Sequence, residues 1–266
     1  MSNALNGAHV LVTRPIHQAE HLSSMIEQQG GVAVSFPTLQ IVGLENQADN
    51  LATATNSLFQ LSNCQWLIFT SVNAVNFALK ANGGKIAQLK TTRIAAIGKA
   101  TARELESAGL HVSLIPENGY DSESLLAMPQ MQQVNGQTVL IVRGQGGREE
   151  LANVLRSKGA KVGYWEVYRR ILPDIDSAEV VSLLEYCKLD VIVVTSCETL
   201  QNLLTMLGES YNKILIMIPL VVISERIRRL AVEIGFTHIA VAESPSDPAI
   251  VNTICALINE RGKNGE

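Results

Sequence analysis

The sequence predicts an α/β fold built from two doubly wound parallel-sheet domains. Three observations predict it. Short apolar runs rich in β-branched residues alternate with helix-length amphipathic segments, the runs are apolar throughout, and the whole order occurs twice along 266 residues. A strand that is apolar at every position is buried on both faces, and strands separated by helices pair in parallel beneath helical layers.

In the first half the strands are expected at residues 10–13, 32–36, 66–69, 93–97 and 112–115. In the second they are expected at residues 138–142, 162–165, 191–194, 220–223 and 238–241. Each run leads through a turn into an amphipathic stretch that closes on glycine or polar residues, as helices do. The repeat is also visible in residue chemistry. VLVTR ending at Arg14 matches VLIVR ending at Arg143, and at the same offset Glu20, Leu22 and Gly30 match Glu149, Leu151 and Gly159. WLIFTS ending at Ser71 matches VIVVTS ending at Ser196; IAAIG ending at Gly98 matches LVVIS ending at Ser224. Two copies of a five-stranded, doubly wound pattern describe two flavodoxin-like domains.

Composition narrows the ligand. With 47% apolar and 17% charged residues the chain can bury sizeable cores. A formal net charge of -4 gives no general attraction for polyanions, which argues against nucleic acid and requires any anionic ligand to be held locally. Cys64, Cys187, Cys197 and Cys255 are widely spaced without a CxxC pair; this argues against a disulfide framework or zinc site and fits a reducing cytoplasm. The first residues lack the pattern of a signal peptide. The longest apolar run, residues 214–223, contains Pro219 and falls well short of the ~20 residues of a membrane span.

In doubly wound sheets ligands bind beyond the carboxyl ends of the strands, where helix N-termini present free N–H groups. The residues at those places are Thr13-Arg14, Thr70-Ser71, Gly98-Lys99, Arg143-Gly144, Thr195-Ser196 and Ser224-Glu225. Hydroxyls, glycines and basic side chains recurring in both halves predict two rims of anion-binding donors, with a ligand held between domains.

Sharper motifs fail on inspection. Arg143-Gly144-Gln145-Gly146-Gly147-Arg148-Glu149 follows a strand, but Glu149 stands where a dinucleotide loop needs its last glycine. Gly98-Lys99 resembles the end of a nucleotide triphosphate loop, yet Arg93 and Ala100 occupy the first-glycine and hydroxyl positions. His17 and His21 lie one helical turn apart without a third ligand. Ser71 before a helical run, and Thr195 with Glu198, read singly as helix caps. No nucleophile triad or carboxylate pair stands out, and residue chemistry alone stops at a two-domain anion binder.

VLVTRP near the start, RGQGGRE in mid-chain, then YWEVYRR, VVTSCETL and VVISERIRRLA, in that order, resemble the uroporphyrinogen-III synthase family of the proteobacterial type over residues 10–258. The resemblance implies domains formed by residues 1–36 with 171–266 and by residues 40–166. A two-stranded linker, residues 36–41 and 165–171, joins them; sequence alone suggests a cut near residue 135. It further implies a cytoplasmic hydro-lyase of haem and sirohaem biosynthesis that cyclises hydroxymethylbilane with loss of water and inversion of ring D. No cofactor or metal is implied, and a monomer is expected. Backbone amides, hydroxyls and a few cations at the rims would hold the substrate's carboxylates.

The family's candidate acid, a tyrosine on the second linker, falls on Tyr168; a free phenol, with pKa about 10, keeps its proton at neutral pH. The resemblance also places substrate contacts at Thr101 and Ser71, beside Arg14, Gly98, Lys99, Arg143, Ser196 and Ser224 from the strand ends. Ser224, Glu225, Arg226 and Ile227 depart from the Gly-x-Thr-Thr element of other members, which weakens hydroxyl contacts there. Two other classes fit the repeated fold: a non-catalytic sensor of a carboxylated metabolite, and a flavin-binding electron carrier.

Overall fold

The structure, a computed structural model, describes residues 3–44, 64–84, 86, 91–117, 119 and 121–264, with side chains to residue 260. In chain order its described elements begin with β1 (His9–Val12), α1 (Ile16–Gln28), β2 (Val32–Ser35), β3 (Gln40–Gly43), β4 (Trp66–Phe69), α2 (Val72–Ala81), β5 (Arg93–Ala96) and α3 (Lys99–Ser107). Then come α4 (Ser122–Ala127), α5 (Pro129–Gln132), β6 (Thr138–Gly144), α6 (Glu150–Ser157), β7 (Lys161–Ile171) and α7 (Ala178–Glu185). The last are β8 (Val191–Val194), α8 (Cys197–Leu207), α9 (Glu209–Leu215), β9 (Leu220–Val222), α10 (Glu225–Ile234), β10 (Ile239–Val241) and α11 (Asp247–Asn264). The chain forms two compact units, Met1–Gln40 with Ile171–Glu266, and Ile41–Arg170.

The first unit holds a five-stranded sheet in the order β10-β9-β8-β1-β2, each neighbouring pair parallel. Successive residues of a strand point to opposite faces, and both faces are apolar, as the uninterrupted strand runs require. Val10 and Val12 with Val191 and Val193 meet Leu22 and Ile26 of α1 and Ile250 and Ile254 of α11. Leu11 with Ile192 and Val194 meets Val180 and Leu184 of α7 and Leu200 and Leu203 of α8.

The second unit has the sheet order β3-β7-β6-β4-β5, and the pairs β7·β6, β6·β4 and β4·β5 are parallel. Trp66, Ile68, Val139 and Ile141 pack on Leu125, Met131, Leu151 and Leu155. Leu67, Phe69, Leu140 and Val142 pack on Ala74, Val75, Ala78 and Leu105. Taken as β7-β6-β4-β5 and continued by the parallel Ala95↔Leu114 bridge, this sheet has the order β2-β1-β8-β9-β10 of the first. The two copies of the repeat are therefore exchanged: β1 and β2 complete a sheet with β8 to β10, and β4 and β5 complete one with β6 and β7.

Two expectations are corrected. The run at residues 112–115 contributes one bridge, at Leu114, rather than a strand; Pro116 follows it and has no N–H to extend a ladder. The run at residues 162–165 is part of one strand, β7, that continues to Ile171. β3 lies beside β7 in the same sheet, and the Leu44 N–H reaches the Val167 carbonyl at 3.3 Å.

Candidate active site

In the second unit, the carboxyl ends of β4 and β5 lead into helices whose first turns face the same rim, as parallel βα succession dictates. Ser71 is the N-cap of α2, with extended backbone, and its Oγ accepts the Ala74 N–H at 3.1 Å. Gly98 caps α3 without a side chain. Lys99 is exposed on the first turn, whereas Thr101 is buried, 5% exposed. Helix starts of this kind present backbone N–H groups that suit a carboxylate.

Tyr168 lies on β7 and is 4% exposed. Its hydroxyl stands 3.4 Å from Ser71 Oγ, with either oxygen able to donate, a distance too long for a strong hydroxyl hydrogen bond. Its ring packs on Phe77 of α2 with centroids 5.6 Å apart. Tyr168, Ser71 and the start of α2 are thus brought together, although Ser71 and Tyr168 are far apart in sequence. Gly98, Lys99 and Thr101 belong to the start of the neighbouring helix, α3.

Arg143 departs from its expected form as an exposed rim cation. It is 7% exposed, and its guanidinium donates to the carbonyls of Gly147 and Arg148, to Glu149 at 2.8 Å and to Glu166 at 3.1 Å. It also stacks on the Tyr164 ring at 3.7 Å, and the Tyr164 hydroxyl donates to Glu149. The Tyr164 and Arg143 hydrogen bonds hold the Glu149 carboxyl below its ordinary range, against a smaller effect of burial. Burial opposes charge on Arg143, but hydrogen bonds to Glu149 and Glu166 outweigh it and hold the guanidinium even more firmly protonated than usual. The motif that resembles a dinucleotide loop is a loop closed on its own arginine.

In the first unit, Arg14 is likewise paired, its Nη1 2.5 Å from Asp247 Oδ1, while His21 Nδ1 lies 2.6 Å from Asp247 Oδ2. Burial would raise the Asp247 pKa, but the hydrogen bonds from His21 and Arg14 outweigh it, and the net shift is downward. Ser196 and Ser224 are N-caps of α8 and α10, accepting the N–H groups of Thr199 and Ile227. The Ser196 cap closes a box with Thr199, not the Thr195–Glu198 combination that the sequence suggests. Each Oγ accepts a helix N–H as Ser71 Oγ does, and the Ser196 hydroxyl also donates to Thr199 Oγ1 at 3.1 Å.

Sequence reasoning missed Asp247, Glu149, Glu166 and Tyr164, the partners of Arg14 and Arg143. The equivalence of Arg14 and Arg143 in the repeat was a signal that both need counter-charges. Among the described residues no group of three or more His, Cys, Asp or Glu side chains converges as a metal site would, and no helix is long and apolar enough to cross a membrane.

Comparison with known proteins supplies what this geometry leaves open. At 32% identity over 249 residues the chain resembles the uroporphyrinogen-III synthase of Escherichia coli (strain K12), with 92% of this chain and 99% of that one covered. It is 34% identical over 254 residues to the enzyme of the same name from Salmonella typhimurium (strain LT2), with the same coverage of 92% and 99%. Among solved structures, a mutant uroporphyrinogen III synthase from the extremely thermophilic bacterium Thermus thermophilus matches with TM-score 0.63 at 15% identity, covering 96% of this chain and all of that one. The Helicobacter pylori 26695 uroporphyrinogen-III synthetase matches with TM-score 0.62 at 15% identity, covering 94% and 99%. At such identities the likeness speaks for the fold. The family model described as uroporphyrinogen-III synthase HemD matches residues 20–252, and the chain belongs to the uroporphyrinogen-III synthase family.

Proposed function

We propose that the chain is a lyase of tetrapyrrole biosynthesis that closes hydroxymethylbilane to uroporphyrinogen III, with Tyr168 as proton donor. Family membership supports the reaction. The observation that carries the assignment of the acid is the buried Tyr168 hydroxyl set 3.4 Å from Ser71 Oγ at the start of α2. The phenol gives its proton to the hydroxyl leaving ring A, so that the C–O bond breaks and water departs. The pyrrole nitrogen of ring A supplies the electron pair, giving an azafulvenium ion that ring D attacks through its substituted carbon; the spiro intermediate rearranges with ring D inverted, and the proton released as ring D regains its aromaticity restores the Tyr168 phenol. The phenolate left on Tyr168 is stabilised by the Ser71 O–H and by the positive end of the α2 dipole.

In this reading Ser71, Gly98, Lys99 and Thr101 contact the substrate, whose carboxylates take the backbone amides that begin α2 and α3. The enzyme acts as a cytoplasmic monomer without a cofactor. Orientation supplies much of the rate, because tethered reactants held in line gain several kcal/mol of order. The test is to add freshly generated hydroxymethylbilane and separate the oxidised product isomers. Type III product above the spontaneous type I background is expected, and type I alone would overturn the reading in favour of a non-catalytic binder.

A further inference from the structure

We propose that Gly144 is a positioning residue for Tyr168, the space above its α-carbon being the seat that sets the phenol against Ser71. The inference rests on the reading of Tyr168 as proton donor. β6 and β7 pair one to one from Thr138↔Lys161 to Arg143↔Glu166, and the next pair is Gly144↔Tyr168, so β7 carries one extra residue there. Such a bulge re-aims the side chain that follows it. Here it brings Tyr168 into the same apolar cluster as Trp165 and Val167, whereas strict alternation would turn Tyr168 to the face opposite Val167. The Arg143–Glu166 pair, at 3.1 Å, ties the strands just before the bulge, and the Gln145 N–H donates to the Tyr168 carbonyl at 2.8 Å just after it.

The ring occupies the room that a side chain at 144 would need. A Cβ on Gly144 would lie 2.5 Å from Tyr168 Cε2, 2.6 Å from Cζ and 3.0 Å from the hydroxyl oxygen. Gly144 does not have the left-handed backbone that demands glycine, so close approach of the ring is what excludes a larger residue. An alanine would push the phenol off its line to Ser71, and a displacement near 1 Å can cost about 100-fold in rate.

The test is a double-mutant cycle on kcat for type III product, with thermal stability measured in parallel. Gly144→Ala should lower kcat roughly 10- to 100-fold in the wild-type background and change it less than about threefold beside Tyr168→Phe, since no proton remains to misplace. Loss of thermal stability should be similar in both backgrounds, because a phenylalanine ring fills the same space. Equal kcat losses in the two backgrounds would overturn the proposal in favour of a structural role, as would full activity of Gly144→Ala. Should Gly144→Ala not fold, Phe77→Leu, which removes the ring packed on Tyr168, should show the same dependence on the hydroxyl; its absence would count equally against the proposal. If Tyr168→Phe alone retains normal type III formation, the proton-donor reading fails, an outcome separate from a cycle in which only Gly144 is silent.

Discussion

Ser71 and Tyr168 meet oxygen to oxygen at 3.4 Å, and the same Ser71 oxygen receives the Ala74 N–H. One serine thus serves a helix and a phenol together. The two duties separate under mutation, because Tyr168→Phe deletes the phenol and spares the cap, while Ser71→Ala removes both.

Tyr168→Phe should lower type III turnover by about 10² to 10⁴-fold, the usual contribution of general acid catalysis. The ring and its contact with Phe77 persist, so thermal unfolding should shift little. The assay must count only the type III isomer, because spontaneous closure to type I sets a background. Near-normal type III formation would remove Tyr168 from the mechanism.

Ser71→Ala should destabilise the protein by about 1 kcal/mol through loss of the α2 cap, readable in urea unfolding. Type III turnover should fall roughly 10- to 100-fold, the worth of one hydrogen bond to a charged oxygen. Unchanged stability would mean that water takes over the cap; unchanged turnover would mean that the serine does not stabilise the phenolate.

Asp247 makes stability depend on acid. Its folded pKa is depressed, since the hydrogen bonds from His21 and Arg14 outweigh the opposing effect of burial. A depressed carboxyl contributes stability that is fully present above its unfolded pKa, about 3.9, and is lost as pH falls through the folded value. Asp247→Asn should therefore be less stable than the parent at pH 6, the difference shrinking as pH falls below about 4 and vanishing only below the depressed folded pKa. Urea titrations across that range check this; a constant difference at all pH values would contradict it.

Arg143→Ala strips Glu149 and Glu166 of their partner and opens the 144–149 loop. A loss of about 1–2 kcal/mol is expected, because the buried guanidinium's hydrogen bonds to the Gly147 and Arg148 carbonyls and its stacking on Tyr164 are removed, while the partly exposed Glu149 and Glu166 carboxylates pass to water. Calorimetry should show it as a lower unfolding temperature. A variant with parental stability but weaker substrate binding would instead restore Arg143 as a direct ligand.

The strands at residues 66–69 and 191–194 were legible because four consecutive apolar residues can only be buried on both faces. The repeat was legible for a similar reason. Gly30 and Gly159 match within it, and in the structure each ends a helix with positive φ and offers its carbonyl to the N–H of Gly7 or Gly136. The bulge at Gly144 was not legible, since it is a property of the pairing of β6 with β7 and a single strand carries no mark of its partner's register. Arg143 misled for a related reason. A cation at a strand end looks the same whether it awaits a ligand or is neutralised by Glu166, which lies on another strand.

The exchange of strands between the two copies sets an order of birth. During synthesis β1 and β2 emerge first, yet the strand that pairs with β1 on its other side, β8, begins at Val191. At ~5–20 residues per second the amino-terminal unit of β1, α1 and β2 waits roughly 8–30 s for that neighbour. The sheet of β4 to β7 is complete by Ile171 and can close in the interval. The later-born unit is thus the one that contains the first residues, and until β8 arrives the apolar side of β1 is left open to whatever else the nascent chain meets.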